Sequence, residues 1–171
     1  MTEVEPFPLI RPVEVASIRS DGLALHVEAD EGERAELAKL FGIPAIAQIV
    51  ADFSLTKKGP RARVTGEIWG RFTQTCVLTL EPFDSDFRET VDLPFDEDPA
   101  KALELRPEEE APDPIVNGII DLGAIAAEFT ALALDPYPRK PGAVFEFKDK
   151  NDVEIVKPSA FGALATLKKQ D

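Results

Sequence analysis

The 171-residue chain has one cysteine, one histidine, one tryptophan and one tyrosine. With Cys76 alone, no intrachain disulfide can close and no thiolate cluster can hold zinc. A cysteine nucleophile needs a base, and the only imidazole is His26, on the outward parity of a different predicted strand; nothing in the spacing supports that pair. Basic residues are scarce: 19 Lys and Arg against 32 Asp and Glu leave a formal net charge of -13. Such a charge repels phosphate backbones and argues against bare electrostatic DNA or RNA binding, while favouring basic partners and leaving room for a local basic patch. No apolar run reaches the roughly 18 residues that span a bilayer as a helix. The N-terminus, MTEVEPFPLIRP, is acidic and broken by prolines, unlike a signal peptide, so the cytoplasm is the expected compartment. There is no HExxH, calcium loop or paired acid/base pattern, and Gly42, Gly59, Gly66 and Gly70 do not compose a phosphate loop. No metal, cofactor or catalytic set is expected.

What is present is ordinary core material. Apolar residues make up 44%, and eleven Phe against one Tyr and one Trp point to inward-facing aromatics. The stretch 13–18 reads as a short strand, 20–22 as a turn, and the alternation of Leu23, Leu25 and Val27 as a second strand, the two suited to a hairpin. Asp30 fits an N-cap, with Glu31 and Glu33 in the first turn, an apolar stripe from Ala35 to Phe41, and Gly42 as the terminating glycine. The stretch 43–49 is ambiguous; 50–56 alternates as a strand with Phe53 and Leu55 on one face. Lys57-Lys58-Gly59-Pro60 is a turn. With Arg61 and Arg63 its lysines are either a solvated tip or a basic patch.

The chain is organised around residues 64–95. Val64, Gly66, Ile68, Gly70 and Phe72 share one face, and Thr65, Glu67, Trp69, Arg71 and Thr73 share the other, which suits a long, bent strand or two strands joined near Thr73. The Trp69 face either stacks a partner or packs under a helix. Gly66 and Gly70 on the inward parity predict a bulge, a bend or a close backbone crossing. Cys76, Leu78 and Leu80 continue the inward parity, which makes Cys76 a core thiol. Glu81-Pro82 breaks the strand, residues 83–86 turn it, and Phe87, Glu89, Val91, Leu93 and Phe95 line the return strand, with Glu89 marking a bulge. Residues 96–114 hold eight acids, two bases and four prolines, a composition that predicts a mobile loop or, around Glu108, Glu109 and Glu110, a dock for a basic protein. Asp121 reads as the cap of a helix to about Leu134, with Leu122, Ile125, Ala126, Phe129, Leu132 and Ala133 as its stripe. Residues 137–171 read as a flexible C-terminal region, with Arg139, Lys140 and the tail lysines as further candidates for RNA contact.

Three segments carry a resemblance. Gly66 leads through Gln74-Thr75-Cys76-Val77-Leu78-Thr79-Leu80 to Glu81-Pro82. Ile120-Asp121-Leu122-Gly123 leads to Asp135-Pro136-Tyr137-Pro138. The third is Lys157-Pro158-Ser159-Ala160-Phe161-Gly162-Ala163-Leu164-Ala165-Thr166-Leu167-Lys168. In this order they resemble the YceD-like family, the large ribosomal RNA subunit accumulation proteins. The resemblance implies a non-enzymatic role in large-subunit rRNA accumulation or subunit assembly, with no cofactor. Its partners would be a large-subunit ribosomal protein or an assembly intermediate, and ribosomal RNA if the basic residues touch it, with neither membrane nor DNA involved. Many members have a second cysteine near the core one and another near the proline-rich turn. Here neither has a counterpart, and the latter region offers Tyr137, Arg139 and Lys140.

The expectation is therefore one α+β domain over residues 1–171. It has a bent, mainly antiparallel sheet, open to barrel-like closure, and two principal helices. The rival function classes are a Cys76-dependent enzyme and a general acidic protein-binding module.

Overall fold

The computed structural model describes residues 7–105, 108 and 111–144. Four strands run antiparallel to their neighbours: β2 (Leu23–Glu28), β3 (Ala45–Lys58), β4 (Arg61–Thr75) and β5 (Pro82–Asp96). A short β6 (Asp113–Pro114) lies parallel to the end of β5, giving the order β2-β3-β4-β5-β6. A second, two-stranded sheet pairs β1 (Pro12–Glu14) with β7 (Ile119–Asp121). The helices are α1 (Glu31–Phe41), α2 (Pro99–Leu105) and α3 (Leu122–Leu132). The fold is α+β with α1 and α3 as its main helices. The sheet order is linear, with no pairing of first strand to last, so the sheet does not close into a barrel.

Alternation sets the two faces. Along β4, Ala62, Val64, Ile68, Phe72 and Gln74 are buried, while Arg63, Glu67, Arg71 and Thr75 are exposed. The inner face meets α3, which touches β3, β4 and β5, and α1, which lies on β3. Phe72 stacks on Phe87 at 5.2 Å between centroids; burying each such ring stabilises the fold by roughly 1.5–3 kcal/mol. A Cβ on Gly66 would come within 3.1 Å of the Asp52 carbonyl carbon and Phe53 Cα. One on Gly70 would come within 2.9 Å of the Gln48 carbonyl carbon, and in both cases it would be closer still to the carbonyl oxygen. The two glycines therefore mark a close backbone approach between β4 and β3, and the register of that pair slips between Ile46 and Gln48, opposite Phe72 and Arg71.

Both main helices begin as the sequence predicts. The Asp30 carboxylate accepts from the Glu33 N–H and the Glu33 carboxylate accepts from the Asp30 N–H, a reciprocal capping box. Gly42 closes α1 at φ 66°. Asp121 accepts from the N–H groups of Gly123 and Ala124, and also from that of Arg11 at 2.7 Å, which ties the N-terminal lead-in to α3.

Several expectations are corrected. The hairpin between residues 13–18 and 23–28 does not form: Val15–Ser17 is a 3-10 turn, β1 pairs with β7, and β2 pairs with β3. The inward run does not continue past Cys76. The Leu80 N–H donates to the Cys76 carbonyl and the Cys76 N–H to the Glu81 carbonyl, closing a turn in which Leu80 sits at φ 59° and is exposed. Residues 83–86 are consequently strand, not turn, paired with β4. Glu89 marks no bulge, because the β4–β5 register is unbroken from Arg61↔Asp96 to Thr75↔Pro82. Leu132 is exposed on α3, whose buried face instead includes Gly123, Ala127 and Thr130, the last bonding back to the Ala126 carbonyl. Residues 96–114, read as one loop, contain α2 and β6; Asp98 accepts from the Lys101 N–H at the start of α2, and Ala102 is buried.

Candidate functional site

The β3–β4 hairpin carries Lys57, Lys58, Arg61 and Arg63 to one end of the sheet. The fifteen-residue β5 runs antiparallel to β4, so its C-terminal end, and the acidic residues that follow, arrive at the same place. Arg61 Nε donates to Asp96 Oδ2 at 3.1 Å, and Asp96 is buried. Arg63 is bidentate to Asp92, with both bonds at 2.6 Å, and holds that carboxyl below its usual pKa. The Glu97 N–H donates to the Pro60 carbonyl. A shallow hollow of about 250 Å³ lies between Lys58, Arg61, Arg63, Pro94, Phe95 and Pro112. Beside it, a second of about 280 Å³ is lined by Arg61, Asp96, Glu97, Asp98 and Lys101. The basic turn and the start of the acidic stretch, read from the sequence as two separate surfaces, are thus one mixed-charge end. Lys57 and Lys58 are exposed there and make no ion pair among the described residues. Glu108 is exposed; Glu109 and Glu110 lie outside the described residues.

Arg139 and Lys140 do not join this cluster. Lys140 Nζ donates to Glu81 Oε2 at 2.9 Å, beside the turn at the opposite end of β4 and β5. Around that turn the Val77 N–H donates to the Pro138 carbonyl and Gln74 Nε2 to the Asp135 carbonyl. Cys76 is fully buried beneath it. The Thr79 hydroxyl, then the backbone N–H of Lys140, with those of Thr79 and Leu78, favours the thiolate and brings the thiol down to about 7. His26 is elsewhere: its Nδ1 lies 2.7 Å from Asp52 Oδ1 on the outer face. Asp52 stands opposite Glu67, nine residues from Cys76 along β4, so the structure does not assemble a Cys–His pair. Among the described residues no group of His, Cys, Asp and Glu could hold a metal ion.

The outer face of β4 and β5 was only partly legible. Trp69 is half-buried and, among the described residues, lies under no helix; the neighbouring Glu67, Arg71, Asp86 and Arg88 are exposed. The Arg88 guanidinium sits 5.6 Å from the Trp69 ring and donates to Glu67. Arg71 is bidentate to Asp86, which raises the one pKa and lowers the other. These cross-strand pairs could not be found without the register that makes them neighbours.

The residues that carry the sequence resemblance have structural tasks. Gly66 admits the β3 backbone. Gln74 bonds the Asp135 carbonyl, Thr79 Oγ1 accepts from the Glu81 N–H, and Leu80 takes the left-handed position of the turn. Asp121 caps α3 and Leu122 is fully buried. Phe161 and Leu164 lie outside the described residues.

Together these features define an α+β domain in which, among the described residues, a mainly antiparallel sheet is helix-covered on one face and leaves the other face and a long edge uncovered. Residues 64–168, more than half of the chain, match the family model described as "Large ribosomal RNA subunit accumulation protein YceD". The chain belongs to that family. Comparison with curated proteins and with solved structures gave no match in either. No helix among the described residues is long and apolar enough to cross a membrane.

Proposed function

We propose that this chain is a non-enzymatic, cytoplasmic factor in large-subunit ribosomal RNA accumulation or large-subunit assembly, acting by binding a basic protein. Its partner is then a large-subunit ribosomal protein, or an assembly intermediate that presents one. The observation that carries this reading is the family match over residues 64–168. Two features support protein over RNA as the direct contact. The formal charge of -13 opposes a phosphate backbone. The tip arginines are already engaged, Arg61 by Asp96 and Arg63 by Asp92, so a phosphate would compete with a carboxylate for each guanidinium.

Affinity purification from cells, read by mass spectrometry and RNA sequencing, tests this. Large-subunit proteins and precursor rRNA are expected in the eluate; recovery of neither would defeat the reading. Lys57→Glu with Lys58→Glu, at the two tip cations outside the ion pairs, should leave RNA recovery unchanged. Selective loss of RNA from that folded variant would move the contact from protein to nucleic acid.

A further inference from the structure

We propose that the free edge of β5 receives an extended, basic segment of the partner protein as an added strand. This deepens the basic-protein reading and rests on it. β5 pairs with β4 over all fifteen of its residues, but on its other side β6 covers only Phe95 and Asp96. Among the described residues, no strand and no loop backbone bond covers residues 82–94 on that side. That leaves an edge of about 40 Å, at roughly 3.3 Å per residue. Alternate peptide groups along it point outward as donors and acceptors.

Edges are usually blunted by prolines, lysines, bulges or inward-pointing charges, and Glu89 is the one inward charge along residues 82–94. Here proline occurs only at Pro82 and Pro94, no lysine lies between them, and the register with β4 is unbroken. The other edge differs: β2 is six residues long, and the Glu28 carbonyl is taken by Arg11 Nη2.

Charge selects the occupant. Residues 82–94 carry Asp84, Asp86, Glu89 and Asp92 against Arg88. Arg71 neutralises Asp86, Arg63 neutralises Asp92, and Arg88 turns to Glu67. Asp84, which accepts a hydroxyl from Thr73 and lies near Arg71 while that guanidinium bonds Asp86, and Glu89, half-buried, have no ion pair among the described residues and remain. They point to opposite faces, so a strand with cations on both faces meets a carboxylate on each. An acidic or phosphate-bearing ligand meets repulsion instead. Backbone bonds supply the affinity and the two carboxylates the preference for a cation.

The probe is a fourteen-residue peptide alternating Lys and Thr, added to the full chain and followed by hydrogen exchange. Exchange of alternate amides within residues 82–94 should slow by about tenfold. A peptide N-methylated at every residue should bind about tenfold more weakly or worse, having no donors for the edge. Asp84→Lys with Glu89→Lys should weaken the parent peptide by about fivefold or more. Absence of binding, protection confined to other residues, equal binding of the N-methylated peptide, or an oligouridine protecting the same amides would each overturn the proposal. If cell purification recovers large-subunit components equally with wild-type and Asp84→Lys/Glu89→Lys protein, the edge assignment fails while the proposed function stands. If wild-type protein recovers none, the function fails whatever the peptide does.

Discussion

Replacing Gly70 with alanine tests the close backbone approach between β4 and β3. The new methyl would first meet the carbonyl oxygen of Gln48, with the carbonyl carbon and Phe87 Cε1 each 2.9 Å away. The carbonyl belongs to β3 backbone beside the register slip and is held in the sheet. Phe87 is held by its stack on Phe72. Neither obstacle is the loose end of a flexible chain, so the backbones must separate. Overpacking of this kind costs about 3 kcal/mol, and the stiffer unfolded chain of the alanine variant offsets about 0.5 kcal/mol. The net loss should be about 2–3 kcal/mol, read in urea as a midpoint lower by roughly 1–2 M with an unchanged slope. Gly42→Ala is the control. There φ is 66° and nothing lies within 4 Å, so the cost is conformational strain alone, about 1 kcal/mol. A Gly70→Ala protein within 0.5 kcal/mol of wild type, or one no worse than Gly42→Ala, would refute the close-approach account.

Two further outcomes follow from single side chains. Asp121→Ala removes the cap on Gly123 and Ala124 and strands the part-buried Arg11 N–H. It should cost about 2 kcal/mol in thermal or urea unfolding, and a loss under 0.5 kcal/mol would mean that the lead-in is not anchored there. Cys76 should give a pH signature. Its folded-state value of about 7 lies below that of a free thiol, so its contribution is present in full above the unfolded value and is lost as pH falls through about 7. The stability gap between wild type and Cys76→Ser should therefore widen from pH 7 to 9, and a constant gap would remove the thiolate from the account. Iodoacetamide should label folded protein slowly despite the lowered pKa, because the sulfur is covered; rapid labelling at neutral pH would favour the cysteine-enzyme alternative.

The features legible in the sequence are those decided within a few residues. The caps at Asp30 and Asp121, the stop at Gly42 and the alternation of β4 each follow from local chemistry that nothing distant overrides. Strand partners were harder. β1 looks ready to turn back on β2, yet it pairs with β7 because Asp121 and the Arg11 backbone meet there, an encounter no local pattern announces. The reversal after β4 was placed too late because Leu80, not a glycine, adopts the left-handed conformation in the turn. The Arg61–Asp96 pair joins residues 35 apart, so the charge cancellation at the hairpin tip becomes visible only once the register is known.

That cancellation changes where recognition should be sought. On the sequence alone, the basic turn and the acidic stretch look like two opposed docking surfaces. In the fold they meet at one end of the sheet, where Arg61 pairs with Asp96 of the acidic stretch and Arg63 with Asp92 just before it. Gly66, Gln74, Thr79, Asp121 and Leu122 are likewise engaged in a close backbone approach, turns, caps and core. The resemblance they carry therefore speaks for a shared skeleton more than for a shared contact surface. Among the described residues the outer side of β5 is unpaired over residues 82–94, and neither Asp84 nor Glu89 is held in an ion pair. A basic partner gains most there, because backbone pairing and charge neutralisation act together without first breaking an existing ion pair.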